Sequence, residues 1–282
     1  MLYPGARLIY SRSHGACQIF DLGNGHLYKF RPHRDGAYES DIHALIQSAT
    51  TIPIPTIFYE WVTVEDGDRG GGGRNVHVHH MVMEKIKGQP LHRVWGSLNP
   101  INKGTIVLQL TTYLDELRRI TSPNISSFNG RAIQDEHGLL FERENTSGGP
   151  FPDNQSLWTA MTAHIRHSPS RTIQKAVINL RAIMPDGFPA VLTHADLHQG
   201  NIMIHEGNIA AIIDWEGAGF FPSWMEYVRY HPVSNAPELE FDNLVVQGME
   251  AYPVAKRFMA ILNALRGSDR EMVEWAIRQL RR

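Results

Sequence analysis

Residues 194–201 read His194-Ala195-Asp196-Leu197-His198-Gln199-Gly200-Asn201, and a second run, Ile212-Ile213-Asp214-Trp215-Glu216, follows shortly after. Leu192 and Thr193 close one apolar run and Ile202 to Ile204 opens another, so the polar residues between them occupy a loop held at both ends by strands. A loop fixed in this way is a rigid carrier for functional groups. Glu206-Gly207-Asn208 is a turn signal. It folds the flanking runs into an antiparallel hairpin and brings Asn201 and Asp214 to the same end. Asp196 and Asn201, five residues apart, and Asp214 at the close of the third run offer two carboxylates and an amide oxygen. Oxygen donors of this kind suit a hard cation such as Mg²⁺ held against phosphate oxygens.

Toward the N-terminus, Ala6 to Ser11, Ala16 to Leu22 and His26 to Arg31 predict three short strands. Gly23-Asn24-Gly25 marks a tight turn between the last two, because Gly and Asn tolerate positive φ. Asp35 to Ser48 has apolar residues at Ala37, Ile42, Leu45 and Ile46, a helical rhythm. Ile52-Pro53-Ile54-Pro55 ends it, since proline cannot continue a helix. Ile57 to Val64 and Val76 to Met83 predict two further strands. After Gly88-Gln89-Pro90 the character changes. Lys103 to Ile120 is an amphipathic helix on Ile106, Leu110, Tyr113, Leu114 and Leu117. Thr121 to Gly149 reads as loop, and Ser156 to His167 and Arg171 to Ile183 as helices. Val191 to Asp214 reads as strand, loop, strand, turn, strand. Ser223 to His231 and Pro237 to Leu280 are mostly helical. The pattern is α+β: a small β-rich lobe with one helix before a larger helical lobe, joined near Met83 to Pro90.

Composition limits the function classes. The chain has 282 residues, 27 Lys plus Arg against 29 Asp plus Glu, and a net charge of -2. That balance gives no global attraction to nucleic acid or to an anionic membrane. No apolar stretch approaches the ~18 residues of a membrane span. Pro4, Arg7 and Arg12 interrupt any signal-peptide core. One cysteine, Cys17, excludes an intrachain disulfide and fits a reducing, cytoplasmic setting. Cys17 itself reads as a small buried residue rather than a nucleophile.

Three local features carry less than they suggest. Gly70 to Gly73 has no GK[ST] and no helix after it, so it reads as a hairpin tip and not a phosphate loop. His77-Val78-His79-His80 places His77 and His79 on one strand face. A third ligand is missing, and the reading is solvated histidines on an edge strand. Arg278, Arg281 and Arg282 read as a solvated helix end.

The loop His194-Ala195-Asp196 followed by Asn201 has the spacing of the protein-kinase catalytic loop, in which a later Asp is the metal ligand. Ala195 stands where protein kinases have Arg, and no APE segment follows. HADLHQGN with IIDWE instead resembles the aminoglycoside phosphotransferase and choline kinase family, which has a two-lobed protein-kinase-like fold. The stretch Gly219-Phe220-Phe221-Pro222-Ser223-Trp224-Met225-Glu226-Tyr227 is similar to fungal members. The resemblance covers most of the chain. Tyr28-Lys29-Phe30 resembles the nucleotide-lysine strand, Glu39 the matching position of the first helix, and Met83-Glu84-Lys85-Ile86-Lys87-Gly88 the hinge. Trp95 and Gly149-Pro150-Phe151 also stand where such proteins have similar residues.

The resemblance implies a nucleotide-binding lobe over residues 1–84, and a catalytic and substrate-binding lobe over residues 85–282. It implies ATP and Mg²⁺ as cofactors, and transfer of the γ-phosphoryl group to a hydroxyl of a small molecule. Asp196 would accept or orient the hydroxyl proton. Asn201 and Asp214 would hold Mg²⁺, and Lys29, oriented by Glu39, would pair with the α and β phosphates. Glu84 and Ile86 would hold adenine through backbone groups, and His194 would brace the loop. Two departures stand out. Ser11-Arg12-Ser13-His14-Gly15 is not a glycine-rich loop, and Ala195 stands where the family often has Gly, a change expected to be tolerated. Two alternatives share the fold: a catalytically silent binding protein, and a nucleotidyl transferase. Trp215, Glu216, Trp224, Glu226 and Tyr230 are candidates for the acceptor wall, where acidic and aromatic groups would suit a cationic acceptor.

Overall fold

A computed structural model describes residues 5–12, 17–33, 38–65, 75–135, 137–141, 146–230 and 237–281. The glycine run 70–73, the loop residues Ser13 to Gly15, the start of the first helix at Asp35 to Ala37, and His231 and Arg282 lie outside them. The chain begins with β1 (Arg7–Ser11), β2 (Gln18–Asp21), β3 (His26–Pro32), α1 (Glu39–Ala49), β4 (Ile57–Glu65), β5 (Val76–Glu84), β6 (Gln89–Pro90) and α2 (Leu91–Val94). Next come α3 (Pro100–Arg118), β7 (Thr121–Ser122), β8 (Ser126–Ser127), β9 (Ile133–Asp135), β10 (Thr146–Gly148), α4 (Asn154–Met161), α5 (Ala163–Arg166), α6 (Arg171–Arg181) and β11 (Ala190–Thr193). The hairpin β12 (Ile202–His205) and β13 (Asn208–Ile212) follows, then β14 (Gly219–Phe221), α7 (Met225–Arg229), α8 (Pro237–Gly248), α9 (Pro253–Arg266) and α10 (Arg270–Gln279).

Packing divides the chain into two units: residues 1–98 with 198–216, and residues 99–197 with 217–282. This differs from a division at residue 84. The reason is strand pairing, since β12 pairs with β6 as well as with β13, so the hairpin of the second motif joins the first unit. Gly88 makes that pairing possible. Its φ is +119°, and a Cβ there would run into the Ile204 carbonyl.

The first unit holds a five-stranded antiparallel sheet in the order β1-β2-β3-β5-β4. The Gly23-Asn24-Gly25 turn joins β2 to β3, with both glycines at positive φ. Helix α1 buries Ile42 and Ile46, the apolar rhythm read from sequence. Beyond it, the Pro53 carbonyl accepts from the Ile212 amide, tying the proline-rich exit to the β12–β13 hairpin. β5 is an inner strand, which corrects the reading of its histidines. His79 and His80 are buried. His79 pairs with Glu60 at 2.7 Å, and His80 hydrogen bonds Tyr28 and Thr63, both at 2.7 Å.

The second unit is mainly helical, around a four-stranded sheet β7-β11-β14-β8. Asn99 caps α3 through its side chain, and Pro100 occupies the first helical turn. The helix buries Ile106, Val107, Leu110, Thr111, Leu114 and Leu117, the spacing of one face. Residues 121–149 contain four short strands rather than continuous loop. Each is two or three residues long, below the length at which alternation shows in a sequence. Tail helix α9 buries Phe258, Ile261, Leu262 and Leu265, and α8 buries Phe241 and Val245. No helix among the described residues is long and apolar enough to cross a membrane.

Candidate active site

In the first unit the site grows from β3. The β-period sends Lys29 to the buried side, where its ammonium meets Asp214 at 2.5 Å, Glu216 at 3.1 Å and Glu39 at 3.7 Å. Burial works to neutralise this lysine, but the three carboxylates outweigh it and hold its pKa well above the usual value. The same face carries Arg31, whose Nε lies 2.6 Å from Glu216. Glu216 therefore belongs to an ion-pair cluster with Lys29 and Arg31.

Glu39 is fixed from two directions. Its Oε1 accepts the Trp215 amide at 3.0 Å, which ties α1 to the residue after Asp214. The start of α1 is capped by the carboxylate of Glu60 on β4, which accepts the amides of Glu39 and Ser40, both at 2.8 Å. Burial would raise the pKa of Glu60, but hydrogen bonds from His79, the Ser40 side chain and these amides hold it down at about 2. Glu60 and His79 thus brace Glu39, a role invisible in sequence because strand β4 precedes none of its partners by a recognisable spacing.

The β12–β13 hairpin forms as read, with Ile202 opposite Ile212. The Asn201 carbonyl accepts the Ile213 amide at 2.9 Å, so Asn201 and the residue before Asp214 are bonded neighbours. Asn201 is buried, whereas the Asp214 side chain is 37% exposed. Asp214 has φ +67°, an uncommon conformation for a residue other than glycine. Carboxylate oxygens of Glu39, Asp214 and Glu216 all lie within 4.8 Å of one another. Three carboxylates face two cations, Lys29 and Arg31, leaving one negative charge in excess, with Asp214 the most exposed of the three. That charge balance and the hard oxygen donors fit a divalent cation at Asp214 and Asn201.

The hinge stretch follows β5. The Glu84 amide donates to the Thr56 carbonyl at 2.8 Å, and Lys85 to Gly25 at 2.9 Å. Ile86 is half-buried, and among the described residues no hydrogen bond engages its backbone. Half-buried Cys17 has its thiol pKa raised by burial, consistent with an unreactive side chain.

In the second unit, β11 ends at Thr193 and the loop turns at once. His194 is fully buried, and its Nδ1 accepts the Asp196 amide at 3.2 Å, which braces the turn. Ala195 adopts φ +66°, which explains why glycine suits this position. Asp196 Oδ1 accepts from Arg229 on α7 at 2.6 Å and from His137, in the β9–β10 connection, at 2.9 Å. Neither partner was found from sequence, since they lie 33 and 59 residues away. The His137 turn is pinned in place. Buried Asp135 accepts the amides of Leu139, Leu140 and Phe141, and Arg266 donates to the Leu139 and Leu140 carbonyls. His198, in the first unit, is exposed and accepts the Gly200 amide at 2.9 Å.

The expected acceptor wall does not form. Trp215 and Trp224 are fully buried, and Glu226 and Tyr230 are buried as well. These side chains fill cores because the chain after Asp214 runs through β14 and α7 with apolar residues at nearly every position.

The two units together have the fold of the kinase-like phosphotransferases, with a small antiparallel sheet region and a larger helical region. The chain belongs to the phosphotransferase enzyme family, whose model matches residues 29–261. Solved structures share the fold across nearly the whole chain. The streptomycin–ATP ternary complex of the aminoglycoside phosphotransferase APH(2'')-IIa matches at 15% identity and TM-score 0.56, covering 98% of this chain and 90% of that one. ADP-bound APH(2'')-Ib matches at 14% identity and TM-score 0.56, covering 98% and 91%. A thermostable mutant of APH(4)-Ia in complex with ADP and hygromycin B matches at 14% identity and TM-score 0.54, covering 99% and 94%. No curated protein sequence matched the chain.

Proposed function

We propose that this protein transfers the γ-phosphoryl group of ATP to a hydroxyl of a small molecule. One observation carries the reading: the Lys29 ammonium is buried among Asp214, Glu216 and Glu39, with Asp214 at 2.5 Å. Nothing but function recommends this cluster to a small sheet. Burying Lys29 and Arg31 with Glu39 and Glu216 gives the fold no more stability than packed apolar side chains would. An ammonium and carboxylates held ready are what a phosphoryl-transfer site needs.

In this reading Lys29, oriented by Glu39, binds the α and β phosphates. Asn201 and Asp214 hold Mg²⁺, which supplies charge neutralisation at the phosphate oxygens. The backbone groups of Glu84 and Ile86 hold the adenine edge. Asp196 accepts or orients the proton of the acceptor hydroxyl, and His194 keeps its loop in shape. The γ-phosphoryl charge is spread in the transition state, so positioning and cations supply most of the acceleration. The fold is shared with proteins solved in complex with streptomycin and hygromycin B, so aminoglycosides are the first acceptors to try.

The metal role is tested by thermal denaturation with ATP, with and without Mg²⁺. Wild type should gain several degrees with ATP and Mg²⁺ together. Asp214→Asn should lose the Mg²⁺-dependent part of that gain. An equal gain with and without Mg²⁺ in wild type, or an undiminished one in Asp214→Asn, would remove the metal role from this residue.

A further inference from the structure

Helix α7 carries a guanidinium that the reading above leaves without a task. Arg229 donates through Nη1 to the Ala195 carbonyl and through Nη2 to Asp196 Oδ1 at 2.6 Å. The two acceptors belong to consecutive residues, and the first stands at φ +66°, a conformation that L-residues avoid. The Asp196 amide is meanwhile held by His194 Nδ1. Backbone carbonyl, backbone amide and carboxylate of one turn are therefore all fastened, two of them by one side chain. The Arg229 side chain is only 16% exposed and Asp196 21%, so the pair is largely shielded from solvent. A planar fork can bridge two acceptors in this way, and a lysine cannot. His137 also donates to Asp196 Oδ1, but its side chain is 50% exposed and its charge depends on pH.

Glu226 explains why the guanidinium is free to do this. It lies one helical turn before Arg229 and is buried, with the Ala195 backbone amide near enough to favour its charge. The charged and titratable groups around it are Arg229, Asp196, Arg118 and Tyr230. Leu114, Leu117, Leu192 and Met249 are among the residues lining the small cavity it shares with Arg118. Burial disfavours the charge on this carboxyl and so weakens its pull on Arg229 relative to Asp196, whose oxygen the guanidinium reaches at 2.6 Å.

We propose that Arg229 is a positioning residue for phosphoryl transfer: it fixes the strained turn at Ala195 and the direction of the Asp196 carboxylate as one unit. This rests on the reading in which Asp196 meets the acceptor hydroxyl. Misplacing a reacting group by about 1 Å costs on the order of 100-fold in rate.

The test compares wild type with Arg229→Gln, Arg229→Lys and Asp196→Asn, by backbone hydrogen exchange and by ADP release. Release is measured with the aminoglycoside turned over fastest, or with water where none is. In Arg229→Gln the amides of residues 195–197 should exchange faster, while those of α3 and α9 keep the wild-type rate. Its kcat should fall on the order of 100-fold, with KM for ATP unchanged. Arg229→Lys should recover part of the rate, since one acceptor is still reached. Wild-type exchange in the loop of Arg229→Gln overturns the proposal. So does faster exchange throughout the chain with a lowered melting temperature, which marks a merely structural role. Undiminished transfer by Asp196→Asn removes the proton-accepting role of Asp196 instead, and the exchange result still decides whether Arg229 holds the turn.

Discussion

Glu226 is the residue whose surroundings differ most from its chemistry. Burial pushes its carboxyl up to about 7 from the ordinary 4.5, against the opposing charge of Arg229. In the unfolded chain the proton leaves near 4.5, and in the folded protein near 7. The folded form thus binds the proton more tightly. Stability from this group is complete below pH 4.5 and is lost as pH rises toward 7. At about 1.4 kcal/mol per pH unit, the full loss is on the order of 3 kcal/mol. Glu226→Gln keeps the shape without the charge. It should match wild type near pH 4.5 and melt several degrees higher at pH 8. Equal melting temperatures at pH 8 would show that the buried carboxyl finds a compensating partner. At this scale the sequence was legible where residue types act together. Asp196, Asn201 and Asp214 stand out because the spacing of a loop and a hairpin fixes them. Arg229 and His137 do not, since a basic side chain on a helix or in a turn looks solvated until folding brings it to a carboxylate. Trp224 and Tyr230 mislead in the opposite way, because an aromatic side chain near a motif reads equally well as wall or core.

Among the elements, α1 depends most on a distant partner. Its N-cap residue, Tyr38, makes no side-chain cap, and the Glu60 carboxylate on β4 takes that part. The pairing also fixes Glu39 against Lys29, so helix start and ion-pair cluster form together. Glu60 ionises at about 2 in the folded protein and at 4.5 ordinarily. Its contribution is present above pH 4.5 and lost as pH falls toward 2. Glu60→Gln should lower stability at pH 7 by about 2 kcal/mol, through weaker bonds to the amides and to His79. The deficit should shrink in denaturant unfolding at pH 3. A deficit of the same size at both pH values would mean that packing, not charge, holds the helix start. Most helices and the longer strands were legible from periodicity. The four short strands between 121 and 148 were not, because pairs and triplets of residues are ordered by neighbours and not by their own pattern. The placement of β5 inside the sheet was hidden too: strand order is a long-range property, and the polar histidines suggested an edge.

For the whole molecule, the first motif, residues 194–201, is divided between two packing units, and the chain passes from one to the other at residues 197 and 198. Asp196 and His194 are built into the helical unit through α7 and the His137 turn. Asn201 and Asp214 are built into the sheet unit through β6, α1 and Lys29. A boundary at residue 84 follows the change from strand-rich to helix-rich sequence. It misses the hairpin because β12 is separated from its distant partner β6 by more than a hundred residues of mainly helical chain. The family could be read from HADLHQGN and IIDWE because both motifs bundle several chemically constrained positions into a few residues. The acceptor was not legible, since the residues nearest the motif turned inward.

Transfer of a phosphoryl group is read from the mass of the product. Protein, ATP and Mg²⁺ are incubated with streptomycin, gentamicin, hygromycin B and choline in turn, and the acceptor is weighed by mass spectrometry. An acceptor heavier by one phosphoryl group, formed with one ADP per turnover and lost in Asp196→Asn, is the predicted result. An acceptor carrying AMP, or a phosphorylated product formed equally well by Asp196→Asn, would rule out phosphoryl transfer through Asp196.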